Sequence, residues 1–246
     1  DFGLTEFAGH PADALVFTIT TPAPNTEFFL PVTATAGAYD AQIAWGDGST
    51  DHLTAHDAPE RKHTYAAAGT YDVAITGKFA RINFQVKAEV RPSAALVKAV
   101  KQLGDTQLVN ADGAFSGCSN LVRVQGGKSV AALLTSANEM FRNCAKLHQV
   151  DLSGFSFPAL ATISNFARDS VSLVDCRLPA LPTLTNIGYM FMNNQKLQAP
   201  PFDPKTMGAI LVANAIGAFN SMRVFTDLDL SLWNVSNLTT ASGMLH

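Results

Sequence analysis

The sequence is poor in charged residues and cysteine, and it contains no long apolar run. Only 15% of the 246 residues are charged, with a formal net charge of −3 and no basic run, which disfavours nucleic-acid binding. The three cysteines are too few for a disulfide framework. Since no apolar run reaches about 18 residues, no membrane-spanning helix is predicted.

Motifs of the common enzyme classes are also missing. The chain has no Gly-x-Ser-x-Gly elbow, phosphate-binding Gly-rich loop, His-Glu-x-x-His or Cys-x-x-Cys motif. A dispersed pair of catalytic carboxylates remains an alternative, because the two residues of such a pair have no fixed spacing in the sequence. The sequence therefore predicts a protein that is not an enzyme and carries no cofactor or metal.

Hydrophobic residues make up 47% of the chain, enough for one large domain or two ordinary ones. Residues 1–12 form a lead-in segment without a clear period. From Leu15 to Ala88, short β-branched and aromatic runs alternate with turn signals such as Gly46-Asp-Gly48. This spacing predicts a small antiparallel β-sandwich over residues 13–90.

Two motifs in this region are more specific than the strand pattern. Trp45-Gly-Asp-Gly-Ser49 precedes His63-Thr-Tyr65 and the Gly69-Thr-Tyr71 strand. Together they resemble the polycystic-kidney-disease (PKD) type of immunoglobulin-like domain, which implies that Trp45 and Tyr71 lie in the core. Asp47 is expected to accept backbone hydrogen bonds in the turn; calcium ligation with Asp51 is the alternative.

His52 and His56, beside Asp51 and Asp57, raise a zinc hypothesis because histidine and carboxylate bind this ion. Both histidines lie between a turn and a strand, where residues four apart do not share a face. A solvated loop is therefore favoured over a metal site.

Residues 91–104 are predicted to be a linker and a capping helix. Ser93 is the N-cap, Leu96, Val97, Val100 and Leu103 form one apolar face, and Gly104 ends the helix.

The C-terminal half repeats an aromatic unit. Phe115, Phe141, Phe166, Phe191 and Phe219 stand at spacings of 26, 25, 25 and 28 residues, and a leucine or phenylalanine follows each one. Such a period predicts stacked units, each too small to bury its own apolar face. About five and a half units span residues 105–246.

The unit Met140-Phe-Arg-Asn-Cys-Ala-Lys-Leu147, continuing into Asp151-Leu-Ser153, resembles the repeat of BspA-like leucine-rich-repeat surface proteins. Asp169, Asn194 and Met222 are aligned with the cysteine of the unit, and Ala199-Pro-Pro201 predicts an irregular fourth unit. Cys118 and Cys144 occupy one slot of adjacent units, where buried thiols are favoured over a disulfide. The predicted fold class is mixed, with two modules: an antiparallel PKD-like sandwich followed by a leucine-rich-repeat solenoid with a parallel sheet.

Residues between the repeated apolar positions are expected to face outward, in columns that run along the parallel sheet. They are the candidate ligand-binding residues: Arg123, His148, Gln149, Asp151, Asp175, Arg177, Asp227 and Asp229.

The resemblance implies an exported, extracellular or cell-surface protein, mostly bacterial, with a possible lipid anchor upstream of Asp1. The expected function is adhesion to an extracellular protein or glycan through the outer face of the repeat sheet. The alternatives are a structural stalk or spacer, and an accessory carbohydrate-binding module of a secreted hydrolase.

Overall fold

The protein is almost entirely β-structure and turns. The computed structural model describes residues 10–34, 39–85, 87–105, 107–127, 130–198, 212–222 and 236–245. A 3₁₀ turn, Pro59–Arg61, and one helical turn, α1 (Arg91–Ala94), accompany the strands. The strands are β1 (Leu15–Thr21), β2 (Thr26–Phe29), β3 (Asp40–Ala44), β4 (Thr50–Leu53), β5 (Lys62–Tyr65), β6 (Gly69–Lys78), β7 (Val97–Gln102), β8 (Arg123–Gln125), β9 (Gln149–Asp151) and β10 (Asp175–Arg177).

One eight-stranded sheet runs through both halves of the chain. Its order is β10-β9-β8-β7-β1-β6-β3-β4, while β2 and β5 form a separate antiparallel pair. The β10-β9-β8-β7 pairs are parallel, and the β7-β1, β1-β6, β6-β3 and β3-β4 pairs are antiparallel. The predicted fold class is therefore wrong: strands of the two expected modules share one mixed sheet.

Strand β7 is the reason for this continuity, and it replaces the predicted capping helix. Its buried residues Val97 and Val100 are three positions apart, a spacing typical of a helix. The pairing of β7 with β1 contains two register shifts, at which Lys98 and Lys101 are extra residues of β7 without a partner in β1. These bulges allow both Val97 and Val100 to face the core although they are three residues apart. Residues 97–102 therefore have a helical period but form a bulged strand with partners on both sides.

Two short strands of the N-terminal half, β4 and β5, were not predicted because their sequences are polar. Conversely, the run over residues 79–86 was expected to form a strand, and its described residues 79–85 contribute isolated bridges: Ile82 pairs with Val32, and Arg81 with Asn110. The second bridge links this run to the first repeated unit.

Each repeated unit is one coil of backbone that contacts the next coil along two arms. The first arm supplies β8, β9 and β10. The second arm carries one parallel bridge per coil, through Asn110, Ser136, Thr162, Asn186, Asn214 and Thr240. Between the arms, consecutive phenylalanine rings of the repeat are in contact, with centroids 5.2 to 6.4 Å apart.

The hydrophobic core is also continuous between the halves. Phe17 of β1 contacts Phe28 at a centroid distance of 5.9 Å and Phe115 of the first coil at 6.3 Å. Both partners are fully buried, and a single cluster of buried residues extends from Leu15 to Phe219. On the opposite face of the sheet, Ala14, Val16 and Ala74 form a second, smaller buried cluster, whereas outward residues of β8, β9 and β10 are partly or fully exposed.

Candidate functional site

The outer face of the parallel strands carries two consecutive outward residues before each buried residue. In β8 and the residue before it, Val122 and Arg123 are exposed, whereas Val124 is buried. The same pattern recurs in the next two coils, where Val150 and Cys176 are the buried residues. The parallel register therefore aligns outward side chains in columns about 4.8 Å apart along the sheet.

Three columns make up this surface, which we call the outer columns. The second contains Ala99, Arg123, Gln149 and Asp175 in direct register. The first column lies beside the second, because backbone hydrogen bonds join its successive members, such as Val122 N–H to the Lys98 carbonyl. The third column lies two residues after the second along each strand and follows the same register. The first column is Lys98, Val122, His148, Val174 and Gln198; the third is Lys101, Gln125, Asp151 and Arg177.

Six of the eight predicted ligand-binding residues belong to the outer columns. They are Arg123, His148, Gln149, Asp151, Asp175 and Arg177. Asp227 and Asp229 lie outside the described residues. The structure thus brings the six residues to one face of the sheet.

Several of these side chains are already bonded to neighbours. Asp175 Oδ2 accepts a hydrogen bond from Gln149 Nε2 at 3.1 Å and lies 3.2 Å from a guanidinium nitrogen of Arg177. Asp151 accepts bonds from the backbone N–H and the hydroxyl of Ser153, at 3.0 and 2.6 Å. These contacts hold the two carboxylates in fixed orientations and partly neutralise Asp175.

Arg123 and His148 differ from these residues because both are exposed and neither side chain has a partner among the residues that the structure describes. Val122, which precedes Arg123 in sequence and is next to His148 in the first column, is 47% exposed. This group offers cationic and apolar contacts whose hydrogen-bond donors are not committed to the fold.

The sequence prediction missed the extension of this surface onto β7 and β1. Lys101 Nζ lies 2.7 Å from Asp72 Oδ2, and the Thr18 hydroxyl donates to Asp72 Oδ1 at 2.7 Å. Burial would raise the pKa of Asp72, but the hydrogen bonds from Lys101 and Thr18 lower it below its ordinary value. Reading residues 93–103 as a helix concealed this cluster, since only a strand aligns Lys98 and Lys101 with the outer columns.

A second polar cluster surrounds the Gly46–Gly48 turn. Asp47 accepts hydrogen bonds from the Ser49 backbone N–H at 3.0 Å and its hydroxyl at 2.5 Å, and from His63 Nε2 at 2.8 Å. Burial acts to raise the pKa of Asp47, but these hydrogen bonds together lower it to about 2. Gly46 and Gly48 both have positive φ, as the tight turn requires.

This Asp, His and Ser combination lacks the geometry of a nucleophilic triad. A triad uses one imidazole nitrogen for the hydroxyl and the other for the carboxylate. Here both groups approach Nε2, with the Ser49 hydroxyl at 3.5 Å. Because the ionised carboxylate only accepts, Nε2 carries the proton and cannot activate Ser49. The cluster instead stabilises the turn against Trp45, on which the His63 ring stacks at 4.8 Å.

The histidines and carboxylates raised as metal ligands are dispersed. His52 contacts Asp40 at 2.7 Å, and His56 lies 3.8 Å from Asp57. Asp51 accepts a hydrogen bond from the Trp45 indole at 2.8 Å. Within the described ranges, no group of three or more histidine, cysteine, aspartate or glutamate side chains is arranged to hold a metal ion.

The three thiols are free and buried, as the sequence predicted for Cys118 and Cys144. Burial raises the pKa of Cys144 to about 12 and those of Cys118 and Cys176 well above their ordinary value. Since the thiolate is the reactive species, these cysteines are packing residues.

No helix in the part of the chain that the structure describes is long and apolar enough to cross a membrane. Comparisons with protein-family models, curated proteins and solved structures give no match, so the function must be argued from the outer columns themselves.

Proposed function

We propose that this protein is a non-enzymatic recognition protein that binds an extracellular protein or glycan through the outer columns of its sheet. The observation that carries the proposal is the group formed by Val122, Arg123 and His148, which is exposed and free of side-chain partners among the described residues. Arginine is enriched in protein interfaces, and its planar guanidinium presents five hydrogen-bond donors in a fixed geometry.

The rigid support of this group favours binding. Arg123 and Gln149 start strands that are paired on both sides, and the residues beneath them are fully buried. Side chains on such a base lose little backbone freedom when a ligand binds, which favours affinity. The resemblance of the repeated Met-Phe unit to BspA-like surface proteins agrees with an exported, surface-displayed role.

The test is a binding screen of the purified chain against extracellular matrix proteins and a glycan array. We expect the double variant Arg123→Ser/His148→Ser to bind the ligand at least about tenfold more weakly, a loss of about 1.4 kcal/mol. Its far-UV circular dichroism and melting temperature should match the parent, because both side chains are exposed.

The matched control is Lys78→Ser/His56→Ser, which removes a basic residue and a histidine outside the outer columns. It should bind like the parent. Equal affinity of the Arg123→Ser/His148→Ser variant would exclude this face as the binding site. If the parent binds nothing in either panel, a structural stalk or spacer becomes the better assignment.

A further inference from the structure

Basic side chains of the repeat side gather at one end of the outer columns. Lys98, Arg123 and His148 occupy three adjacent strand positions and alternate between the first and second columns. Lys146 precedes His148 by two residues. Its Nζ donates to Asn120 Oδ1 at 2.8 Å, and the Asn120 amide donates to the Ala95 carbonyl. We call Lys98, Arg123, Lys146 and His148 the basic patch.

The nearby carboxylates that form ion pairs do so with other cations. Asp72 pairs with Lys101, and Asp175 pairs with Arg177. In the described part of the chain, Lys98, Arg123, Lys146 and His148 form no ion pair of their own. This concentration occurs on a protein whose formal net charge is −3, so it does not reflect an overall basic composition.

We infer that the basic patch binds a linear anionic polysaccharide, whose carboxylate or sulfate groups lie along successive strands. The inference rests on the proposed function and specifies the ligand class for the same face. Its physical basis is charge complementarity between a repeating polyanion and cations placed on neighbouring strands about 4.8 Å apart.

Other anionic macromolecules fit this face less well. Single-stranded nucleic acids bind through aromatic side chains on which bases stack, and the outer columns contain no Phe, Tyr or Trp at any described position. A protein partner usually inserts an anchor into a desolvated pocket, whereas the apolar residues of the outer columns, Ala99, Val122 and Val174, lie on an open face. A flexible polysaccharide needs neither feature.

The test measures binding of the full chain to immobilised dextran sulfate, polygalacturonate and unmodified dextran. We expect binding to at least one anionic polymer and none to dextran, with an affinity that falls at least tenfold between about 0.05 and 0.5 M NaCl because salt screens exposed charges. The dextran sulfate and polygalacturonate arms separate sulfate from carboxylate recognition.

The decisive variant is Lys98→Gln/Arg123→Gln/Lys146→Gln, expected to lose at least tenfold in affinity. Its control, Lys78→Gln/Lys87→Gln/Lys196→Gln, removes the same charge elsewhere and should bind like the parent. Equal losses in both variants would mean that overall charge governs binding, and would overturn the inference. Because every substituted side chain is at least partly exposed, we expect both variants to fold. Circular dichroism and the melting temperature test this expectation.

The remaining outcomes separate the inference from the proposed function. Binding of a neutral glycan or matrix protein that is lost in Arg123→Ser/His148→Ser, without binding to anionic polymers, would preserve the recognition face and overturn the anionic ligand. Tighter binding to poly-L-glutamate than to either anionic polysaccharide would overturn the ligand class in favour of an acidic polypeptide. Failure of all these ligands would overturn both.

Discussion

At the residue scale, the repeated phenylalanines are core residues whose rings contact those of adjacent coils. In the third coil the expected alignment is wrong by one residue: Ala167 occupies the position of Phe141, and Phe166 occupies that of Met140. Phe141 is fully buried, and its ring lies 5.8 Å from that of Phe115 and 5.2 Å from that of Phe166. The first pair is nearly parallel and the second is edge-to-face, which are both favourable aromatic geometries. Each ring therefore contributes to two interfaces between coils.

Replacing Phe141 with Ala should destabilise the protein by about 3 to 5 kcal/mol, because the substitution removes buried apolar area and leaves a cavity between two coils. Urea denaturation followed by circular dichroism measures the change. Val171→Ala, at a side chain that is 48% exposed, is the control and should cost under about 0.5 kcal/mol. A loss below 1 kcal/mol for Phe141→Ala would mean that this ring is not packed as described.

The cysteine position of the repeat, which we call the slot, holds a small side chain that donates a hydrogen bond in two of the coils. Cys144 Sγ donates to the Phe115 carbonyl at 3.2 Å, and Ser170 Oγ donates to the Phe141 carbonyl at 2.7 Å. The slot in the third coil is thus Ser170, and the expected equivalence of Asp169 with the cysteine is wrong. Asn194 occupies the next slot and is fully buried, and neither its amide nitrogen nor its oxygen is hydrogen-bonded to a residue that the structure describes.

Asn194→Ser should therefore stabilise the protein by about 1 kcal/mol, because an unpaired buried amide costs about 1 to 3 kcal/mol and part of that gain is lost to the smaller volume. The midpoint of urea unfolding reports the effect. Asn194→Asp is the opposing variant and should destabilise, since it buries a charge without a partner. A lower midpoint for Asn194→Ser would show that the amide fills the slot more usefully than its missing hydrogen bonds suggest.

Asp47 makes the stability of the N-terminal turn depend on acid. Its folded-state pKa is about 2, below the ordinary value of 3.8, so the unfolded state binds the proton more readily. The stabilisation is fully present above about pH 5 and is lost as the pH falls from about 4 towards 2. Its size is on the order of 1 to 2 kcal/mol, discounted because the side chain is partly solvated.

The prediction is that Asp47→Asn lowers the free energy of unfolding at pH 7 and flattens its dependence on pH between about 4 and 2. Urea titrations across this range measure the slope. Asp57→Asn is the control, because the Asp57 side chain is 71% exposed. Parallel pH profiles for the parent and Asp47→Asn would show that the hydrogen bonds of this carboxylate do not stabilise the fold.

At the scale of elements, the turns around the phenylalanine define the coil. Two positions per coil have left-handed backbone conformations, and they flank the phenylalanine on either side. The first position holds Gly113, Glu139, Asn165, Tyr189, Gly217 and Gly243; the second holds Gly117, Asn143, Asp169, Asn193 and Ser221. These turns direct alternate backbone N–H groups, such as those of Phe115 and Gly117, to carbonyls of the next coil.

Asn143 provides a test of this turn because its φ is 57° and its side chain is exposed. We expect Asn143→Val to destabilise by about 1 to 2 kcal/mol, since a β-branched residue disfavours left-handed backbone, and Asn143→Gly to be tolerated within about 0.5 kcal/mol. Thermal unfolding of both variants measures the contrast. Ala145→Val, two residues away at another exposed position, should have little effect. Equal stability of the valine and glycine variants at residue 143 would contradict the backbone argument.

At the scale of the whole molecule, the continuous sheet and core predict that the described halves unfold together. Trp45 reports on the N-terminal half, whereas most signal changes in the far ultraviolet come from both halves. In a Trp233→Phe variant, urea transitions followed by Trp45 fluorescence and by circular dichroism should coincide, because β7 and Phe17 couple the halves. Two separated transitions would show that the shared strand does not make folding cooperative.

Local sequence patterns were sufficient to locate much of the core and the rows of exposed residues. Phe141 and Val150 are buried because a regular repeat of large apolar residues has to be shielded from water. The sequence also brought Arg123, Gln149 and Asp175 into one predicted column, since an outward position recurs once per unit. Trp45 and the glycines beside it marked the N-terminal turn through their conformational requirements.

The sequence by itself determined the repeat, the buried aromatic residues and the polar nature of the exposed columns, because these depend on residue type and spacing. Only the tertiary structure decided that the two halves share one sheet and that Lys98 and Lys101 join the outer columns. The physical reason is that residues 97–102 have a helical period, yet unpaired edges of β1 and β8 on either side provide more backbone hydrogen bonds to a bulged strand. That choice is made by distant partners, and no local pattern contains it.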